Sequence, residues 1–262
     1  MHTHTFTIPV YKESPYLEHC IQSLLQQTIK SHIIITTSTP AEFTRDVAQK
    51  YGIPYFISSS GQKGIANDWN FALSKVTTPY ATIAHQDDVY MPAYTETVLA
   101  AIKSSDHVLI AFTGYTELVY DHLRRVSLNA VVKTCLLFPF YVKRAIKSTF
   151  LKKAVLLFGD PICCPSVMLN LQALPGFNFS SGYSCALDWQ AWYGLTNRPG
   201  SFLYVNKKLV AHRIHIDSET TRQLNNGKRQ QEELRLFEMM WGKRAAKVIS
   251  RIYAIGHKDN TV

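Results

Sequence analysis

Ala81-Thr82-Ile83-Ala84-His85-Gln86-Asp87-Asp88-Val89-Tyr90-Met91-Pro92 is the stretch on which the reading of this chain turns. The apolar run from Tyr80 to Ala84 has the length and composition of a strand buried in a parallel sheet. It runs into two adjacent carboxylates, Asp87 and Asp88, and Met91-Pro92 then opens a helical pattern. Open α/β sheets bind their ligands outside the carboxyl ends of such strands. Two carboxylates repel each other there unless a cation or a hydrogen-bond network holds them. A hard divalent cation that also bridges substrate phosphates satisfies that requirement. The plainer alternative is a turn in which Asp87 and Asp88 cap the next helix.

Outward from this stretch, strands and helices alternate through the first ~110 residues. Thr5–Val10 reads as a strand. Ser14 and Pro15 start a helix with Leu17, Cys20, Ile21 and Leu24 on one face. His32–Thr36 is a second strand, and Thr39-Pro40-Ala41-Glu42 has the form of a capping box. Pro54–Ser58 is a third strand, followed by a loop to Gly64 and a helix over Ile65–Ser74. After the Asp87-Asp88 strand come a helix over Pro92–Ser104 and a strand over Val108–Thr113. This order predicts right-handed βαβ units and a parallel sheet.

Beyond Gly114 the regularity stops. Glu117–Arg124 reads as a hairpin or edge strand, and Val131–Phe158 as two short helices around Pro139. Ile162–Asn170 returns to strand character, and Leu187–Leu195 is helical. Ser201–Val205 and Leu209–His215 are short strands, and Glu219 onward is mostly helical. The expected organisation is one catalytic domain in three parts. Residues 1–113 form an α/β half, 114–217 a second half with a basic insertion over 122–159, and 218–262 a helical segment.

Composition narrows the class. The chain has 262 residues, 46% hydrophobic and 18% charged, as in a globular domain with a sizeable core. No apolar run approaches the ~20 residues of a membrane span, and the N-terminus lacks the pattern of a signal peptide. The five cysteines are odd in number and form no Cys-x-x-Cys, which argues for buried thiols in a reducing compartment. A cytoplasmic protein is expected, with peripheral attachment to the inner face of the cell membrane left open. The net charge of +9 is uneven: from His122 to Gly159 there is no acid, against eight lysines and arginines. Such a field favours an anionic partner. Three readings of the stretch stay open: snorkelling lysines over an apolar body, docking on an anionic membrane, or part of an acceptor subsite for a lipid-linked pyrophosphate. No helix-turn-helix, zinc-finger or ribonucleoprotein motif supports nucleic-acid binding. No Gly-x-Gly-x-x-Gly follows the first strand, which disfavours a dinucleotide-binding dehydrogenase.

Phe6-Thr7-Ile8-Pro9-Val10-Tyr11-Lys12-Glu13, the Ser23–Thr28 helix, and Gly61–Leu73 followed by Gln86-Asp87-Asp88 resemble family 2 glycosyltransferases in order and spacing. The resemblance covers roughly Phe6 to Thr220. It implies the GT-A fold, a Rossmann-like, mostly parallel central sheet flanked by helices, with a smaller acceptor-side region and a helical C-terminus. It also implies a nucleoside-diphosphate sugar donor, Mn2+ or Mg2+, and a saccharide or lipid-linked saccharide acceptor in surface polysaccharide or glycolipid synthesis. Pro9 and Tyr11 match the nucleoside-lining positions, Glu13 the acidic residue just beyond them, Asp88 the metal-binding carboxylate, and Asp87 its neighbour near the donor ribose and sugar. Asp188, ahead of Trp189, matches the general base, although the same residue can instead cap its own helix. Arg213 matches a diphosphate partner, and His215 a contact to the metal or diphosphate. Two departures stand out. Thr36-Thr37-Ser38-Thr39 replaces the family's Asp-Asp-Gly-Ser, leaving a hydroxyl such as that of Thr37 to meet the base. Leu187 replaces the Glu that ordinarily precedes the catalytic Asp. These departures keep open a non-catalytic nucleotide-sugar-binding or scaffold protein on the same fold.

Overall fold

The computed structural model describes residues 2–62, 64–119, 122–124, 128–215 and 227–255. Lys63 and Arg125 lie outside the described residues, as do Ile216, Asp217, Ser218 and Glu219, so the expected start of the C-terminal segment is not among them.

β1 (His4–Val10) is the centre of a parallel unit, paired with β2 (His32–Thr37) on one side and β4 (Tyr80–Ile83) on the other. β3 (Tyr55–Ile57) extends the unit beyond β2. α1 (Leu17–Leu25), α2 (Glu42–Lys50) and α3 (Ile65–Ser74) make the connections. This is the βαβ order read from the sequence. β5 (Val89–Tyr90), α4 (Tyr94–Lys103) and β6 (Val108–Val119) follow. β7 (His122–Arg124) folds back on β6 as a hairpin with Glu117 opposite Arg124. Then come α5 (Leu128–Leu136), α6 (Phe138–Val142, with Pro139 in its first turn), β8 (Ala145–Ile146) and α7 (Thr149–Leu156). The chain continues through β9 (Val167–Asn170), α8 (Leu187–Leu195), β10 (Ser201–Ile214) and α9 (Lys228–Ile255). The main path across the sheet is β3-β2-β1-β4-β9-β6-β10-β5.

Alternation along the strands divides the apolar residues between two cores. Val167 and Leu169 of β9, with Phe202 and Tyr204 of β10, join Trp69, Trp189, Trp192 and Phe237 in one core. Met168 and Leu203 point the other way, into a core with Phe6, Ile8, Leu17 and Val98.

The structure corrects several local readings. β9 is antiparallel to both β4 and β6, so the sheet is mixed. An apolar run carries no information on strand direction. The two short strands read over 201–215 are one strand over Ser201–Ile214, parallel to β6, with register shifts between Ser201 and Phe202, Val205 and Lys208, and Lys208 and Val210. The polar Asn206-Lys207-Lys208 is an irregularity in that strand. It packs so close to Gly114 that a Cβ there would lie 3.2 Å from the Lys207 carbonyl oxygen. Thr39 caps no helix: its hydroxyl accepts the Lys12 N–H at 2.8 Å, and α2 starts after Ala41 without a side-chain cap. Ser14 accepts the N–H of Tyr16, two residues ahead of α1. The basic insertion holds a third helix, α7, capped by the Ser148 hydroxyl. Its Lys152 is buried and donates to the carbonyls of Arg198 (2.8 Å) and Gly200 (3.0 Å), so this lysine is a core strut, not a surface charge.

Candidate active site

β4 leads to Asp87 and Asp88 at the end of the sheet, and the end of β10 brings His212 and Arg213 to them, with His215 just beyond. Asp88 is fully buried. It accepts the backbone N–H of Arg213 at 2.8 Å and lies 3.0 Å from His212 Nδ1 and 3.7 Å from His85 Nδ1. Burial alone would lower the pKa of His212, but the Asp88 carboxylate outweighs it and pushes the imidazole up to about 9. Asp87 contacts His215 Nε2 at 3.0 Å. Burial would raise the pKa of Asp87, yet the His215 hydrogen bond and the nearby His85 and His212 hold it below the usual value. Arg213 is buried, donates from Nε to the Asp87 carbonyl at 3.0 Å, and stacks over Tyr16 with its guanidinium carbon 4.3 Å from the ring centre. The repulsion expected between the two carboxylates is thus met by three histidines and an arginine.

Nitrogen or oxygen atoms of His85, Asp88 and His212 all lie within 4.8 Å of one another, close enough to share one metal ion. His85 Nε2 is buried and has no hydrogen-bond partner among the described residues. The nitrogen that faces Asp88 is Nδ1, and two imidazoles converging on one buried carboxylate are a donor set that fits a divalent transition-metal ion. Of the residues matched to the metal, Asp88 is in this group, and His215 sits beside it on Asp87.

Of the residues matched to the nucleoside, Pro9 lies near the end of β1 and Tyr11 in the loop after it, with Glu13 just beyond. Pro9 is half-buried, and Tyr11 and Glu13 are exposed. Gln86 ties this loop to the Asp87-Asp88 turn, accepting the Tyr11 N–H at 3.1 Å and donating to its carbonyl at 3.3 Å. Thr37 is buried, its hydroxyl donating to the Val10 carbonyl at 2.7 Å and accepting the Thr39 N–H at 3.0 Å. Trp69 is core, packed on His85 and Phe179.

Asp188 stands in the first turn of α8, and its carboxylate accepts its neighbour Trp189's N–H at 2.9 Å. Burial raises its pKa, opposed by that hydrogen bond and by Arg229, Lys133 and His85. Asp160 is pushed well up by burial and by Asp188 itself. A buried carboxylate kept from ionising easily is a stronger base when it does ionise. Leu187 is buried in the core, facing away from solvent.

The sequence profile described as Glycosyl transferase family 2 matches residues 5–174. The chain belongs to glycosyl transferase family 2. A protein of Rickettsia typhi described as an uncharacterized glycosyltransferase is 27% identical over 239 residues, covering 89% of this chain and 69% of its own length. Among solved structures, S. aureus TarS residues 1–349 superposes with a TM-score of 0.65 at 11% identity, over 98% of this chain and 72% of that one. Glucosyl-3-phosphoglycerate synthase from Mycobacterium tuberculosis superposes with a TM-score of 0.63 at 13% identity, over 91% and 80%. The mannosyltransferase PcManGT from Pyrobaculum calidifontis superposes with a TM-score of 0.59 at 12% identity, over 99% and 76%. The fold of this glycosyltransferase is therefore GT-A, as the motifs implied.

Several residues at this glycosyltransferase's site carried no sequence signal that singled them out. His85 precedes the Gln86-Asp87-Asp88 motif, and His212 stands in the same stretch as Arg213 and His215, where two histidines three apart more often satisfy local hydrogen bonds and the resemblance assigns His212 no role. Glu232, from α9, is buried and gathers the N-terminal end of α8. It accepts the N–H groups of Ser184 (3.0 Å), Cys185 (2.8 Å) and Ala186 (3.2 Å) and the Ser184 hydroxyl (2.9 Å). One turn away, Arg229 pairs with Glu233 at 2.8 Å. The 229/233 spacing of an ion pair on one helix face is legible in sequence; the reach of Glu232 to residues 46–48 positions earlier is not.

Proposed function

We propose that this enzyme is a metal-dependent, inverting glycosyltransferase. It moves a sugar from a nucleoside-diphosphate sugar to the hydroxyl of a saccharide or lipid-linked saccharide, in cell-surface polysaccharide or glycolipid synthesis. The observation that carries this reading is the convergence of half-buried His85 and His212 on buried Asp88, set beside Asp87 and Arg213. In this reading residues 1–113 hold the donor, with Pro9, Tyr11 and Thr37 around the nucleoside, Glu13 just beyond them and Asp87 toward the sugar and diphosphate, and Arg213 reaches the diphosphate from the end of β10. Residues 114–217 hold the acceptor.

Asp88, His85 and His212 would hold the cation, with His215 adjoining through Asp87. The mixed imidazole and carboxylate donor set suits Mn2+ better than Mg2+, which prefers oxygen ligands throughout. When bound, the cation neutralises charge that develops on the departing diphosphate. Supporting precedents are PcManGT, described in complex with GDP-Man and Mn2+, and glucosyl-3-phosphoglycerate synthase, described with Mn2+ and UDP. TarS is described with UDP-GlcNAc.

Asp188 acts on the acceptor side. Its carboxylate takes the proton from the acceptor hydroxyl as that oxygen attacks the anomeric carbon, and the bond to the diphosphate oxygen breaks on the opposite face. Attack in line inverts the anomeric centre. Arg229 and Lys133 stabilise the ionised form of Asp188 between turnovers. The test is transfer by purified Asp88→Asn and Asp188→Asn with the product anomer determined. Both substitutions are expected to abolish transfer, and Asp188→Asn to keep nucleotide binding. Full activity in either variant refutes the role given to that residue.

A further inference from the structure

The sequence has a second acid-free stretch. Between Glu238 and Asp259 there is no Asp or Glu, while Lys243, Arg244, Lys247 and Arg251 fall there. The structure places its residues 243–255 on the part of α9 beyond Gly242, whose φ of 73° interrupts the helix and sets its last turns apart. The inward face of these turns is settled by Ala246, which is buried, and by Tyr253, whose ring packs on Trp189 and Phe237. The outward face is not polar throughout. Val248 and Ile252, one turn apart, are 59% and 65% exposed. Arg244, Lys247 and Arg251 are exposed around them.

α9 also touches the segment that ends the basic insertion, through the residue just before Gly242. Trp241 donates from Nε1 to the Leu157 carbonyl at 2.8 Å, and its ring lies 5.1 Å from Phe158. Phe150, on the same helix α7, is 76% exposed. Two separate acid-free segments therefore abut, and each presents large apolar side chains to solvent among cations.

We infer that this surface docks the enzyme on an anionic lipid bilayer, with Val248, Ile252 and Phe150 entering the headgroup boundary and Arg244, Lys247 and Arg251 meeting lipid phosphates. An interfacial helix needs apolar residues on one side and Lys/Arg flanking them. A nucleic acid would use the cations but leave Val248 and Ile252 without a role. A second copy of the chain would set this positive face against its own charge in a two-fold contact. No helix among the described residues is long and apolar enough to cross a membrane, so the contact is one of lying on the surface. The purpose of such docking rests on the proposal that the acceptor is lipid-linked; the docking itself is measured without turnover, so either can fail alone.

The experiment is co-sedimentation of the full chain with vesicles of phosphatidylcholine alone and of phosphatidylcholine with 30% phosphatidylglycerol, roughly the regime of an anionic leaflet. Binding to the anionic vesicles only is expected. Changing Arg244, Lys247 and Arg251 together to Gln should weaken it roughly a hundredfold, and V248S/I252S should weaken it while leaving the circular dichroism spectrum unchanged. K207Q/K208Q, in the exposed irregularity of β10, should bind as the wild type does. Absence of binding to anionic vesicles overturns the inference, as does binding unaltered in both α9 variants. Heparin binding without vesicle binding would reassign the cations to a soluble polyanion. Concentration-dependent dimerisation lost in V248S/I252S would reassign the apolar face to a second copy.

Discussion

Glu232→Gln isolates how the C-terminal helix holds the catalytic one. In the wild type a buried carboxylate accepts three backbone N–H groups and one hydroxyl, all between 2.8 and 3.2 Å, immediately before α8. The N–H groups at a helix start have no partners within their own helix, and a negative charge there also meets the favourable end of the helix dipole. A hydrogen bond to a charged group is worth about 1.5–3 kcal/mol. The four share two oxygens and are not additive, so the cluster contributes less than their sum. Glutamine keeps one acceptor oxygen and turns an NH2 group toward donors already crowded there. The expected loss is about 2–4 kcal/mol of unfolding free energy, read as a lower urea midpoint with an unchanged slope. Asp188 lies two residues beyond Ala186, and a displacement of its carboxylate on the scale of 1 Å can cost about a hundredfold in rate. Among molecules still folded, kcat should therefore fall while the donor KM holds. Stability within 0.5 kcal/mol of the wild type together with an unchanged kcat, at roughly the level of an ordinary surface substitution, would refute this reasoning.

Further expectations follow from the same contacts. Burial would raise the pKa of Glu232, but the N–H groups of Cys185, Ser184 and Ala186 outweigh it and hold it below its ordinary 4.5. A depressed folded pKa gives stability that is full above 4.5 and is lost as the pH falls through the lower folded value. Acid titration followed by tryptophan fluorescence should show that loss in the wild type and a weaker one in Glu232→Gln. Lys152→Met leaves the Arg198 and Gly200 carbonyls without their buried donor and should cost about 1–3 kcal/mol in urea unfolding. Lys143→Met, at an exposed position, should change stability by less than ~0.5 kcal/mol. Leu187→Glu, which restores the family's common residue, buries a carboxylate in the apolar core. It should unfold the protein at lower urea by upwards of ~3 kcal/mol without raising transfer.

Much of the fold was written in local pattern. The spans of α3 and α8 and the buried β4, which leads to Asp87-Asp88, follow from hydrophobic period and from Gly64 ahead of the helix. What failed depended on distant partners. The apolar residues of β9 would suit either strand direction, and its place between β4 and β6 settles it as antiparallel. Thr39 has the residue type of a helix cap, but Lys12, 27 positions earlier, takes its hydroxyl. The eight cations of the basic insertion look alike in sequence, yet Lys152 is sealed inside and Lys143 is exposed. The carboxylates of the site were legible because they sit together at a strand end. Their cationic complement was only half legible. Arg213 and His215 belong to a motif, whereas the approach of His212 to Asp88 across 124 positions is a product of the β10 register.

The most direct test of the Asp88 site is thermal unfolding of the wild type and of Asp88→Asn against UDP, GDP, dTDP and CDP, each with and without Mn2+. A ligand that binds only the native state adds ~2.7 kcal/mol at a hundredfold excess over its Kd. The expected result is a rise in Tm for one nucleotide that needs Mn2+ and vanishes in Asp88→Asn. A rise of equal size without Mn2+, kept in Asp88→Asn, would contradict a metal held by Asp88 on the donor diphosphate.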